Sequence, residues 1–174
     1  MNAGGHMGRR AFLRIAQAGM AALPLMPEQV SAQAAGGYSR QVKLGLVGCG
    51  GRGAWISNLF RANGGFVFTA AADYFEERAG RVGRQLGVPA AACFSGLDGY
   101  KRLIASGVEA VVLQTPPFFF PEHAAAALEA GLHIYMAKPV AIDIPGTRVI
   151  ESLAKQAAAA KIVFQADYQL PCDP

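Results

Sequence analysis

The sequence is poor in cysteine and in charge. Its three cysteines, Cys49, Cys93 and Cys172, are odd in number and far apart. They form neither a C-x-x-C pair nor a disulfide framework. No cluster of histidine, cysteine or carboxylate residues has metal-ligand spacing, so no metal is expected. Only 16% of residues are charged, and no dense Lys/Arg run with interleaved aromatics occurs. The net charge is +4, and half of it lies in the first 34 residues, where Arg9, Arg10 and Arg14 stand against Glu28. A body so close to neutral argues against nucleic acid as the main partner. The apolar stretch over 15–26 is broken by Gln17 and Pro24. It is shorter than the ~20 apolar residues of a spanning helix, which argues against a permanent membrane anchor. What the sequence does have is 52% apolar residues and 21 glycines in 174 residues. That suffices for one globular domain with something extra.

The extra part is N-terminal. Gly8-Arg9-Arg10-Ala11-Phe12-Leu13-Arg14 is a twin-arginine pattern, the modestly apolar stretch follows it, and Ala32-Gln33-Ala34 is a small-x-small cleavage site. Residues 1–34 therefore read as a bacterial twin-arginine export signal, with the periplasm as destination and the export machinery as a partner. That pathway carries folded proteins, so a cofactor bound in the cytoplasm could travel along. Residues 35–41 read as a linker.

The body opens on Lys43-Leu44-Gly45-Leu46-Val47-Gly48-Cys49-Gly50-Gly51-Arg52-Gly53. This is an apolar strand running into G-x-G-x-x-G and then into a helical pattern. Gly48 lets the chain turn sharply, Gly50 lets a pyrophosphate approach the backbone, and Gly53 lets the helix pack closely. The helix N-terminus offers N–H groups and partial positive charge to phosphate. Cys49 fills a place where a small residue is needed, Gly51 continues the loop, and Arg52 is placed to reach a phosphate. Gly48, Cys49, Gly50, Gly51, Arg52 and Gly53 are thus all candidates for holding a dinucleotide. Asp73 ends the next apolar run, where an acid can bond ribose hydroxyls. Its charge favours NAD; NADP stays open because Arg78 or Arg52 could offset a 2′-phosphate.

Beyond the loop, strands and helices alternate. Strands are expected at 42–47, 66–72, 91–94, 110–114, 133–136 and 162–165. Helices are expected at 52–62, 75–86, 97–105, 121–130 and 145–160. In the first helix Trp55, Ile56, Leu59 and Phe60 share one face; in the last, Val149, Ile150, Leu153 and Ala157 point inward. The pattern predicts an α/β fold with a doubly wound parallel sheet of about six strands, the Rossmann arrangement. Right-handed crossovers gather the strand ends on one rim, with Gly48 to Gly53, Asp73, Thr115-Pro116-Pro117, Lys138-Pro139 and Gln165. His123 is expected to pack or cap. His133 is read as a strand residue near the sheet edge. Of Phe118, Phe119 and Phe120, at least one should line a cleft or an interface, since three adjacent side chains cannot point one way.

Thr115-Pro116 and the run Ala130-Gly131-Leu132-His133-Ile134-Tyr135-Met136-Ala137-Lys138-Pro139 resemble a known family. Together with the glycine loop, they make residues 42–165 similar to the N-terminal half of the glucose–fructose oxidoreductase / inositol dehydrogenase / rhizopine-catabolism (Gfo/Idh/MocA) family. The resemblance implies an NAD- or NADP-dependent oxidoreductase acting on a sugar or polyol. It adds Thr115, Pro116 and Lys138 to the cofactor contacts. The family's Glu-Lys-Pro motif puts a lysine beside the nicotinamide and the reacting hydroxyl; here it reads Ala137-Lys138-Pro139, so Lys138 carries over as the catalytic candidate and the glutamate does not.

The resemblance also implies a second, C-terminal substrate domain bearing a catalytic Asp and His. The dinucleotide domain is expected over 42–166, and 167–174 as the start of that second domain, the rest of which is absent from this sequence. Two alternatives follow: a dinucleotide-binding module without turnover, and an S-adenosylmethionine-dependent methyltransferase, against which Gly53 and Lys138-Pro139 argue. Apolar surface left bare where a second domain would pack is expected to favour self-association, with a homo-oligomer possible.

Overall fold

The computed structural model describes residues 38–168. The expected export signal, residues 35–37 of the linker and residues 169–174 lie outside them.

Six parallel strands form the sheet: β1 (Val42–Val47), β2 (Phe66–Asp73), β3 (Cys93–Ser95), β4 (Ala110–Leu113), β5 (His133–Ala137) and β6 (Phe164–Asp167). Between them run α1 (Gly51–Asn63), α2 (Glu76–Leu86), α3 (Gly99–Ile104), α4 (Phe120–Glu129) and α5 (Ile144–Ala159). The spatial order is β3-β2-β1-β4-β5-β6. This is the Rossmann order, with its switch point between β1 and β4.

Alternation along the strands divides the core in two. Val47, Ala70, Ala72, Val111, Leu113 and Met136 face α3, α4 and α5, where Leu103, Phe120, Ala124 and Ile150 meet them. Leu44, Leu46, Phe68, Ala71 and Val112 face the other way, with Ile56 of α1 and Val82 of α2. Helices thus pack on both faces, which is why these strands read as nearly continuous apolar runs.

Helix ends follow their chemistry. Gly64 and Gly87 close α1 and α2 at positive φ, 83° and 75°, where only glycine is unstrained. Asp143 caps α5 by accepting a hydrogen bond from the Gly146 N–H at 2.7 Å.

Two helical faces differ from expectation. In α1 the buried residues are Gly53, Ile56 and Ser57, while Trp55 and Leu59 are 43% and 47% exposed. In α5, Ile150, Leu153 and Ala157 are buried, but Val149 is exposed. His133 lies, as expected, in a strand near the sheet edge: β5 is the neighbour of the edge strand β6. Its Nδ1 accepts a hydrogen bond from the Val163 N–H at 3.0 Å.

Candidate cofactor site

The site is built where β1 hands over to α1. Gly48 has φ +98°, and a Cβ there would lie 2.5 Å from the Gln114 carbonyl carbon and 2.7 Å from the Thr115 nitrogen. The loop therefore rests directly on the end of β4. A Cβ on Gly53 would come 1.9 Å from the Gly48 carbonyl oxygen, so the first turn of α1 rests directly on the loop. Gly50 is the opposite case: nothing lies within 4 Å of its absent Cβ. The first and third glycines are required by the protein's own backbone, and the second opens onto space.

Gly50 is also the N-cap of α1, without a side-chain cap, and no acidic residue stands in that helix's first turn. By contrast α2 carries Glu76 and Glu77 in its first turn. The positive end of the α1 dipole is therefore left for a ligand to meet.

Asp73 closes β2 beside the loop. Its Oδ2 accepts from the Cys49 N–H at 2.7 Å and its Oδ1 from the Phe75 N–H at 3.0 Å. Two backbone bonds fix the carboxylate and leave each oxygen a further lone pair for a hydroxyl. Cys49 packs in the small-residue place expected of it, and its N–H turns to the protein and not to a ligand. Its side chain is fully buried, and its N–H is taken by Asp73. Burial first, and the Asp73 charge second, push its thiol up to about 12, so it is an inert packing group that aims the acid.

A cavity of about 420 Å³ runs along this rim, lined by Gly48, Gly50, Asp73, Thr115 and Pro116. These five expected residues come together. Further lining residues include Arg78, Tyr100, Gln114, Phe119 and His123. His123 is buried, with its ring stacked on Phe119 at 5.6 Å and tilted against Tyr100 at 4.2 Å. Its Nδ1 lies 3.3 Å from Thr115 Oγ1. Burial lowers its pKa to about 4, so this packing residue is neutral at neutral pH. The Tyr100 hydroxyl donates to Glu122 at 2.7 Å, and burial followed by that bond pushes it up to about 12. The three phenylalanines divide as expected: Phe120 is in the core, Phe119 lines the cavity and Phe118 is 65% exposed.

Two expected contacts are placed differently. The Arg52 guanidinium pairs with Asp167, which is buried at the end of β6, and lies 5.0 Å from the centre of the Trp55 ring. A buried carboxylate needs such a partner, so Arg52 is engaged away from the cavity. Lys138 is exposed at the end of β5, joined to Pro139 by a cis peptide bond, and is not among the cavity-lining residues. Gln114 was not anticipated. Among the described residues neither its Oε1 nor its Nε2 has a hydrogen-bond partner, although both are buried. Its position directly before Thr115-Pro116 was the available signal.

The family model for the oxidoreductase family with an NAD-binding Rossmann fold matches residues 42–167. The chain belongs to the Gfo/Idh/MocA family. Among curated relatives, a glycosyl hydrolase family 109 protein of Streptomyces coelicolor is 32% identical over 108 residues, 59% of this chain and 23% of its own length. Among solved structures, the inositol dehydrogenase homologue of Azotobacter vinelandii, complexed with NADH and myo-inositol, matches with a TM-score of 0.66 at 26% identity. That match covers 75% of this chain and 36% of the homologue. The UDP-N-acetylglucosamine 3-dehydrogenase of Acidithiobacillus ferrooxidans matches with a TM-score of 0.59 at 25% identity, covering 72% of this chain and 38% of its own. The chain thus spans less than two fifths of these Gfo/Idh/MocA-type relatives.

NAD fits the residues present. The family's cofactor needs a pyrophosphate platform, which the open Gly50 and the uncapped α1 supply, and a ribose acceptor, which Asp73 supplies.

Proposed function

We propose that this chain is the NAD-binding part of an oxidoreductase acting on a hydroxyl of a sugar or polyol. The observation that carries the reading is the cradle itself. Gly48 and Gly53 are locked by backbone contact, Gly50 is open, and Asp73 is held by two N–H groups beside it. The inositol bound in the Azotobacter structure and the sugar nucleotide named for the Acidithiobacillus enzyme support the substrate class.

In this reading the α1 N-terminus holds the pyrophosphate and Asp73 orients the adenosine ribose. Bound NAD supplies a nicotinamide ring able to exchange hydride with the carbon bearing the hydroxyl. Lys138, at the carboxyl end of β5, is proposed to hydrogen-bond that hydroxyl and to hold or move its proton at Nζ. Ala137 precedes it in place of an acid, so Lys138 lacks a carboxylate neighbour on that side.

Titration with NADH, followed by fluorescence, tests the cofactor half: saturable binding is expected, and none at millimolar NADH sinks the reading. A panel of polyols and sugars with NAD tests turnover. NADH formation that is lost in Lys138→Met supports the assignment; binding without turnover reduces the chain to a dinucleotide-binding module. The 32% identity to a glycosyl hydrolase family 109 protein favours a second reading, in which the nicotinamide serves glycoside cleavage and is returned unchanged. Sugar release without NADH accumulation identifies it. We also propose export by the twin-arginine route, supported by Arg9-Arg10 and Ala32-Gln33-Ala34; cell fractionation should find the protein in the periplasm, and Arg9→Lys/Arg10→Lys should retain it in the cytoplasm.

A further inference from the structure

Gln114 stands at the join between the glycine loop and β4. Its N–H donates to the Val47 carbonyl at 2.7 Å. Its carbonyl carbon lies 2.5 Å from where a Gly48 Cβ would be, and its own Cβ 3.6 Å from where one on Gly53 would be. The side chain therefore emerges between the first and third loop glycines and helps line the cofactor cavity. Its amide is buried, and among the described residues neither Oε1 nor Nε2 finds a partner. Buried carboxamides are normally bonded, so this one calls for an explanation.

Strand order supplies it. Asp73 ends β2 on one side of the loop and Gln114 follows β4 on the other, since the sheet runs β2-β1-β4. A dinucleotide has a ribose on each side of its pyrophosphate. With the pyrophosphate at the loop and the adenosine ribose at Asp73, the second ribose falls on the β4 side. A carboxamide offers one acceptor and two donors. Phosphate, an acceptor only, would satisfy Nε2 and leave Oε1 unmet. A vicinal diol satisfies both ends, because each hydroxyl can donate and accept. No hydrogen bond holds the amide in its stowed position, and three side-chain torsions allow it to turn into the cavity it borders.

We propose that Gln114 is a positioning residue for the nicotinamide-side ribose, bonding its diol through Oε1 and Nε2. The inference rests on the NAD reading. The amide is the group that exchanges an unpaired state for a paired one when the cofactor arrives. Its removal therefore has an unusual signature, affinity falling while the fold is untouched or firmer.

The test uses the full chain, Gln114→Met as an unbranched apolar replacement, and three ligands: NADH, ADP-ribose and ADP. NADH and ADP-ribose should each bind the variant about tenfold more weakly, while ADP, which lacks the second ribose, binds unchanged. The melting temperature of the unliganded variant should stay level or rise. Gln114→Asn, whose amide is one methylene short, should show a smaller loss with the same ligand order. Equal weakening of all three ligands, or of none, overturns the proposal. Weakening of NADH alone transfers the contact to the nicotinamide and overturns the ribose assignment. If the unmutated chain binds no NADH, the cofactor reading fails and this inference falls with it; if it binds NADH and the variant binds equally, this inference fails alone.

Discussion

Gly50 and Gly53 are three residues apart and do opposite work. A Cβ on Gly53 would collide with the Gly48 carbonyl, and one on Gly50 would meet nothing within 4 Å. Gly53→Ala should cost about 2 kcal/mol of stability, because the obstacle is backbone and cannot turn aside. Gly50→Ala should cost only about 0.5 kcal/mol, the usual scale of a weaker N-cap, yet its methyl would stand where the pyrophosphate approaches and weaken NADH binding about tenfold. Thermal melts beside NADH titrations of the two variants check the split. His123 gives a pH signature. Its pKa in the folded protein is about 4 against an ordinary 6.5, so the unfolded chain binds the extra proton between those values. Stability from this residue is whole above pH 6.5 and is lost as pH falls toward 4, by up to about 3 kcal/mol. Denaturant midpoints from pH 8 to pH 4.5 should show that slope, and His123→Gln should flatten it.

At the scale of elements, the alternation of strand and helix was legible because a sheet covered on both faces leaves apolar runs and glycine stops in the sequence. The rotation of α1 was not. Hydrophobicity picked Trp55, Ile56, Leu59 and Phe60, but the inward stripe is Gly53, Ile56, Ser57 and the half-buried Phe60, spaced i, i+3, i+4, i+7. Contact at Gly53 decides which side faces the sheet, and Ser57 tolerates burial because its hydroxyl donates to the Gly53 carbonyl at 2.6 Å. A rule that counts apolar residues cannot see a face whose centre is glycine. Pairings distant in sequence were also hidden, such as Arg52 with Asp167. That pair ties the first turn of α1 to the end of β6, across the tips of β4 and β5. Arg52→Ala should destabilise the fold by about 2 kcal/mol, since it strands a buried carboxylate. Arg52→Ala/Asp167→Asn should recover part of that loss, a coupling that denaturant titration of the single and double variants measures.

Across the whole molecule, the two faces of the sheet are finished differently. One carries a continuous core against α3, α4 and α5. The other packs α1 and α2 over β1 to β3, while toward β6 it presents an apolar groove of about 380 Å³ lined by Val42, Phe60, Val112, Tyr135 and Val163. Val163 is 60% exposed there. Surface of this kind promotes association. Sedimentation at rising concentration should show the chain self-associating, and Val163→Lys should weaken that association without lowering the melting temperature.

The contacts at Gly48 bear on how the site discriminates. The loop packs against the end of β4 on one side and α1 on the other, with no room for a Cβ at Gly48 or Gly53. Its shape is set before any nucleotide arrives. Binding then orders little of the main chain, and the arrival rate is governed by diffusion and orientation. A cradle packed this closely favours selection by fit over closure around the ligand.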